Sequence, residues 1–407
     1  MLLYENKKVK FLSFLKAGIN PFRKFVSTGE IKEDLGLVRS RTELVNAIKD
    51  VIDNNENFIL PIIGNVGTGK THLYWSLKNK LYYYNTIYVS LENVYRKLFY
   101  NVYSEFIEEI GPEVLRSITS KLCNNWGALD RKFGFFHVAD MEKVRKTAFE
   151  DFSDRFEDKI ALNDVLNGIT AHQLDPYKKV EAERWLLGEL MDFRELSHIN
   201  LLYDLKRRSY AFTVLKIMVE NAKLRTVLFI DDFGRIIQIM KPRGESEDIF
   251  EPSWLYDDET KSPDVIAAEK ILEKILKLND IDGLKIIITL KSIDSLEEIK
   301  RKVQETNAEF MNILKEPLFL RNFEESDIFE LYRKKIEEVL VSIDFTEFIE
   351  DFWNSYFPLN EEILKRIYDI SQGNPREIIK NLIKIFNDII YSDEELENIL
   401  NNFMEFN

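Results

Sequence analysis

One cysteine, Cys123, stands in a chain of 407 residues. It excludes an internal disulfide and any zinc site built on paired cysteines, and its apolar neighbours mark a buried thiol rather than a nucleophile. The four histidines (His72, His137, His172 and His198) have no metal-ligand spacing. No apolar run approaches the ~18 residues that a membrane helix needs. Met1-Leu2-Leu3-Tyr4 is broken at once by Glu5 and three lysines, so no signal peptide is expected and the reading is a soluble, cytoplasmic protein without a membrane partner. Positive charge is also short: Lys+Arg number 56 against 70 Asp+Glu, a net charge of −14. The average surface therefore repels nucleic acid. Contact with DNA or RNA would need a local patch such as Lys7-Lys8-Lys10 or Lys206-Arg207-Arg208, or a partner protein; both patches read more simply as solvated helix faces.

Glycine is scarce as well, 15 residues in all, about half of the usual ~7 %. That makes the cluster Gly64-Asn65-Val66-Gly67-Thr68-Gly69-Lys70-Thr71 stand out. It has the form G-x-x-x-x-G-K-[ST], a loop whose glycines let backbone N–H groups curl closely around a β-phosphate. In this pattern Lys70 reaches the β- and γ-phosphates and the Thr71 hydroxyl ligates Mg²⁺. Phe58–Ile63 before it is an apolar run of strand length, and His72–Leu77 after it reads as a helix. Gly64 to His72 are the expected nucleotide-binding residues, with ATP and Mg²⁺ as ligands.

Hydrophobic content of 45 % with 31 % charged residues is ordinary for a globular protein. The length suits two or three units of ~150 residues, or one large α/β domain with a lid. Residues 1–37 read as an arm with a turn at Asn20-Pro21-Phe22-Arg23. Ser40-Arg41-Thr42-Glu43 has the form of a capping box ahead of a helix. Pro61 is awkward within the first strand, since proline cannot donate to a ladder; the strand is expected to bend there or to stop pairing at Leu60. Further strands are expected at Thr86–Leu91, Thr226–Ile230, Leu284–Leu290 and Pro317–Arg321, with helices at 265–278 and 294–314. Between about 100 and 220 the pattern is one of aromatic-rich amphipathic helices without a convincing strand, broken at Gly111-Pro112, Gly134, Gly168 and Asp175-Pro176. Residues 241–264 read as a long acidic loop. Residues 324–407 are helical only, with a break at Gly373-Asn374-Pro375.

The third strand ends in Asp231-Asp232. Four apolar residues followed by two acids form the second signature of P-loop ATPases. Asp231 is placed to hold the Mg²⁺ hydration shell, and Asp232 to orient or deprotonate the attacking water. Asp is one methylene shorter than the Glu usual at that place, and a short reach slows water attack.

Taken in order, these elements resemble the AAA+ and STAND ATPases over roughly residues 38–385, the helical insertion excepted. The likeness is nearest to archaeal and bacterial ATPases related to replication initiators, carried by Leu37–Leu44, Gly64–Leu73 and Gly373-Asn374-Pro375-Arg376. It implies a three-layer α/β/α core with a parallel five-stranded sheet (38–322), a large helical insertion and an all-helical lid (323–407). It also implies that Arg376 senses the γ-phosphate from the lid, that Thr289 acts as the polar sensor at a strand tip with Lys291 and Ser292 behind it, and that an arginine finger is drawn from Arg235, Arg301 or Arg321. Initiators of this kind carry a winged-helix domain after the lid, for which the sequence to Asn407 leaves no room. Arg184-Trp185-Leu186-Leu187-Gly188-Glu189 is also similar to a stretch of ATP-binding proteins in phage-exclusion systems, though a packed helix tryptophan explains it equally well. Asp231–Arg235 is similar to the Asp-Asp-Leu-Asp-Arg of a P-loop group with membrane-inserted members, and departs from it at Gly234.

The expected function is that of a Mg-dependent ATPase switch or remodeller in a nucleic-acid-associated complex, oligomeric or bound to a partner protein and reaching nucleic acid indirectly. The alternative is a slow-hydrolysing, nucleotide-gated scaffold that recruits a partner through its helical insertion.

Overall fold

The structure is a computed structural model that describes residues 2–18, 20–23, 38–54, 57–91, 97–128, 132–133, 136–137, 140–234, 236, 263–304, 310–346 and 349–406. In chain order the elements begin α1 Leu2–Leu15, α2 Arg39–Asn54, β1 Ile59–Ile63, α3 Lys70–Lys80 and β2 Asn85–Ser90. There follow α4 Leu98–Asn125, a hairpin of β3 Lys132–Phe133 and β4 Phe136–His137, α5 Met141–Phe152, α6 Lys159–Leu174, α7 Lys179–Leu186, α8 Phe193–His198 and α9 Arg208–Asn221. The rest is β5 Thr226–Asp231, α10 Pro263–Leu278, β6 Leu284–Leu290, α11 Ile293–Gln304, α12 Phe310–Ile313, β7 Leu318–Phe319, then α13 Glu325–Ser342, α14 Ile349–Ser355, α15 Glu361–Ser371, α16 Pro375–Tyr391 and α17 Leu396–Phe406. The chain divides into two units, residues 1–53 with 63–80 and 318–407, and residues 54–62 with 81–317.

Five strands form a parallel sheet in the order β2-β5-β6-β1-β7. β5 and β6 are buried along their whole length, which is why Val227–Ile230 and Ile286–Ile288 are apolar in succession rather than alternating. The register sets Ser90 beside Asp231 and Ile288 beside Ile230, so Thr289 comes level with Asp231.

Pro61 neither bends β1 out of the sheet nor ends its pairing. Ile59 O accepts from Lys315 N at 2.9 Å and Ile63 O accepts from Leu320 N at 2.8 Å, while Phe58 O accepts from Ile286 N at 3.0 Å. In a strand, alternate residues direct their backbone groups to the same side. Pro61 therefore turns its missing donor with Ile59 and Ile63, toward the side of the two-residue strand β7. Proline is tolerated there because the ladder is sparse at a sheet edge.

The helical insertion forms as expected, and α4 is two helices joined across a kink at Gly111, whose φ of 72 and ψ of 169 leave the helical backbone, so the break at Gly111-Pro112 falls where it was expected. The short β3–β4 hairpin is a local difference, since the pattern there carries no strand signal. Trp185 is completely buried and its indole N–H reaches Tyr203 O at 3.1 Å. A Cβ on Gly168 would lie 2.9 Å from that ring, so Gly168 marks a close helix approach within α6 rather than a break. The Trp-Leu-x-Gly-Glu stretch thus has a packing role. Cys123 is buried and burial pushes its thiol up to about 12, in line with an inert residue.

In the other unit, α13 to α17 share one apolar core, and the N-terminal segment is part of it. Phe11, Leu15 and Phe22 are fully buried. Phe22 stands edge-on to Phe386 at 5.3 Å and stacks on Tyr332 at 6.1 Å. Asn20 Nδ2 donates to Ile383 O and to Asn387 Oδ1 at 3.1 and 2.9 Å. The lysines of the N-terminal patch are drawn into the same packing: Lys7 meets Asp351, and Lys8 and Lys10 lie over Phe357 and Phe345. Truncating a buried Phe costs about 3–5 kcal/mol. Phe22→Ala is therefore expected to lower the denaturant midpoint strongly; a midpoint within error of wild type would contradict this packing.

The expected capping box at Ser40 does not form. α2 starts at Arg39, two residues earlier than a Ser40 cap requires, Arg39 pairs with Glu43 at 2.9 Å, and Ser40 Oγ donates instead to Asp327 at 3.0 Å. Among the described residues no helix is long and apolar enough to cross a membrane.

Candidate nucleotide-binding site

The Gly64–Thr71 loop joins β1 to α3, as its flanks require. Gly67 and Gly69 have φ of 86° and 99°, a left-handed backbone that glycine adopts without cost. A Cβ on Gly64 would lie 2.7 Å from Thr68 Oγ1 and 3.0 Å from Leu320 O. Thr68 is buried and its hydroxyl donates to Asn65 O at 2.8 Å. The Lys70 ammonium donates to Gly64 O at 2.8 Å and Asn65 O at 3.1 Å, so it lies folded across the loop it serves. Thr71 is the second residue of α3 and exposed, and His72 is half-buried behind it. Burial, then the positive charge of Arg376, lowers the His72 imidazole below its usual range and keeps it neutral near pH 7.

Two elements of the same unit close on this loop. Nδ2 of Asn374 donates to Val66 O at 2.9 Å, and Arg376 N donates to Gly67 O at 3.1 Å. Arg376 is exposed, and among the described residues its guanidinium makes no ion pair. Gly373, at φ 69, must be glycine, because a Cβ would lie 2.4 Å from Phe323 O. From α2, Arg41 donates to Thr68 O at 3.3 Å and to Arg321 O at 2.7 Å, with its guanidinium 4.8 Å from the centre of the Phe323 ring. Burial pulls Arg41 down to about 10, against the pull of Asp327.

The acidic pair is built in the other unit. Asp231 ends β5, almost fully buried, and accepts from Tyr88 Oη at 3.0 Å, from the Thr289 hydroxyl, and from Asp232 N at 2.9 Å. Asp232 has φ 58, an uncommon backbone for a residue with a side chain, and accepts from Ser90 Oγ at 2.9 Å. Left-handed Asp residues cost on the order of 1 kcal/mol or more and concentrate at functional positions. Taken separately, the Thr71 hydroxyl and the Asp231 carboxylate are hard oxygen donors of the kind that suits Mg²⁺ carried mainly on phosphates. No cluster of three or more metal-ligating side chains occurs among the described residues.

The structure brings Gly64–His72 together with Arg376, and brings Asp231, Asp232 and Thr289 together. Lys291 packs along Gly234, and Ser292 turns to Ser295. Of the finger candidates, Arg301 pairs with Glu298, Arg321 lends its carbonyl to Arg41, and Arg235 lies outside the described residues, as does most of the acidic loop. Sequence reasoning missed Arg41, Tyr88, Ser90 and Asn374. Only Arg41 and Asn374 carried a signal, since both sit within stretches that resemble known ATPases. Arg207 and Arg208 are exposed, as a solvated face requires, and also line a cavity of about 550 Å³ with Phe99, Arg155, Phe212 and Lys277.

The parallel sheet, with this loop between its β1 strand and the following helix, defines a P-loop nucleoside triphosphatase fold. No family profile matches the chain, and no curated protein does. Among solved structures it is similar to the Walker-type ATPase PABY2304 of Pyrococcus abyssi, with a TM-score of 0.43 and 11 % identity over 95 % of this chain and 75 % of that one.

Proposed function

We propose that the chain binds Mg-ATP on the Gly64–Thr71 loop and hydrolyses it slowly, as an AAA+-like switch whose helical lid, residues 323–407, reports the state of the nucleotide. The observation that carries this reading is the loop's backbone: two left-handed glycines, a lysine folded across it, and the lid segment bonded to two of its carbonyls. Lys70 would exchange its carbonyl partners for the β- and γ-phosphate oxygens, which offer it full negative charge. Thr71 and Asp231 would hold Mg²⁺, which supplies neutralisation of the phosphate charge. Asp232 would orient the attacking water, Thr289 would hold Asp231 in place, and the Arg376 guanidinium would meet the γ-phosphate.

The likeness to replication initiators favours a nucleic-acid-associated complex in which subunits or a partner protein reach the DNA. The net charge of −14 supports indirect contact. Steady-state ATP hydrolysis over a range of protein concentrations, with and without double-stranded DNA, tests it. Rates per subunit that rise with concentration and again with DNA support shared active sites. Flat rates under all conditions count against an oligomeric, DNA-coupled machine.

A second reading, a nucleotide-gated scaffold, draws on two observations. Asp232 is short and its carboxylate is already held by Ser90. The insertion also exposes Tyr177, Val180, Leu190 and Phe193, the kind of apolar surface that receives a partner. If reach limits the reaction, Asp232→Glu raises turnover about tenfold, within the ~10²-fold that misplaced catalytic groups cost. Unchanged turnover in that variant removes the short-reach argument.

A further inference from the structure

A trans peptide plane points its C=O and the following N–H in opposite directions. Whatever holds the carbonyl of one loop residue therefore fixes the direction of the next residue's amide. In this loop two successive carbonyls are held from the same place. Val66 O accepts from Asn374 Nδ2 at 2.9 Å, and Gly67 O accepts from Arg376 N at 3.1 Å. The amides so fixed are those of Gly67 and Thr68. Thr68 N–H points toward Asn65 O, the atom that the Lys70 ammonium also reaches, so it faces the side of the loop where Lys70 lies.

Asn374 makes the first hold directly and borders the second, since Arg376 N lies 3.1 Å from both Gly67 O and Asn374 Oδ1 and its one N–H is shared between them. Its Oδ1 caps α16 by accepting from Arg376 N at 3.1 Å and Glu377 N at 3.4 Å, while its amino group spans to Val66. Pro375 has no amide, so the first N–H that the helix can offer the loop is that of Arg376. The fit is close: a Cβ on Gly67 would lie 2.5 Å from Asn374 Oδ1. Gly67 is thus needed for the approach of Asn374 as well as for its own left-handed backbone.

We propose that Asn374 is a positioning residue for nucleotide binding, which holds the Val66 and Gly67 carbonyls away so that the Gly67 and Thr68 amides stand ready for a diphosphate group. It acts on the phosphates common to ADP and ATP and touches neither. This rests on the nucleotide-binding reading above.

The test separates the donor from the cap. Asn, Asp and Ser are comparable helix caps, but neither Asp nor Ser can donate from that position to Val66 O as the carboxamide does. Asn374→Ser removes the donor without adding charge, and Asn374→Asp removes it with charge. Dissociation constants for ADP and ATP and melting temperatures are measured for both variants and wild type. The expected result is a loss of about tenfold in affinity in the Ser variant, equal for ADP and ATP, at a melting temperature close to wild type. A larger loss in the Asp variant agrees with the same account. An Asn374→Ser protein that binds both nucleotides like wild type overturns the proposal, as does a loss confined to Asn374→Asp, which would be a charge effect, or a loss confined to ATP. Should the Ser variant melt early, the Asp variant's melting temperature decides whether the cap was kept. A cap-competent Asp variant with wild-type affinity again overturns the proposal. Wild-type protein that binds neither nucleotide would refute the nucleotide-binding reading itself, a result distinct from the others.

Discussion

Lys70→Ala is expected to abolish measurable ATP turnover. The ammonium lies 2.8 and 3.1 Å from the carbonyls of Gly64 and Asn65, poised over the concave side of the loop. Phosphate oxygens are stronger acceptors than those carbonyls, and each charge-assisted bond contributes about 1.5–3 kcal/mol. Affinity for ATP should fall about 10- to 100-fold with the lysine gone, by that range. Turnover should fall further, because removing one preorganised donor at a reacting centre costs about 10²–10³ in kcat. The fold should survive, since Lys70 is only half-buried and opens a helix. Hydrolysis by Lys70→Ala at the wild-type rate would place the chemistry elsewhere.

Asp231→Asn should separate binding from hydrolysis. Asp231 accepts hydrogen bonds from Tyr88, Thr289 and Asp232 N, among its contacts. Asn can keep two of them through its carbonyl, and the Tyr88 hydroxyl can turn to accept from its amino group. Volume and packing are conserved, so the loss is chiefly of charge. A carboxylate that no longer orders the metal's hydration shell should lower kcat by about 10²–10³, while ATP affinity measured without Mg²⁺ changes little. Equal losses in both would mean that Asp231 serves the fold and not the reaction.

The features legible in the sequence were local ones. The phosphate loop was readable because its glycines and lysine sit at the spacing that cradling a phosphate demands, all within eight residues. β5 and β6 were readable from the apolar runs Val227–Ile230 and Ile286–Ile288, and the acidic pair by its place at a strand end. What escaped depends on contacts far apart in sequence. Asn374 lies 308 residues from Val66, and Ser90 lies 142 from Asp232. Only the parallel register of β2 and β5 brings Ser90 level with Asp231. Pro61 looked like a strand breaker until the parity of its neighbours showed which side lacked a donor. Ser40 forms no capping box: the helix begins at Arg39, and the Ser40 hydroxyl donates to Asp327, distant in sequence. The N-terminal residues read as an arm because nothing near them in sequence shows that α13 to α17 leave room for Phe11, Leu15 and Phe22.

The central claim is that Gly64–Thr71 is a working nucleotide site, and calorimetric titration of the wild-type chain with ATP, with and without Mg²⁺, addresses it most directly. The account predicts one saturable equivalent per chain, tighter with Mg²⁺ and strongly weakened in Lys70→Ala. The absence of saturable binding, or binding that Lys70→Ala leaves unchanged, would contradict it.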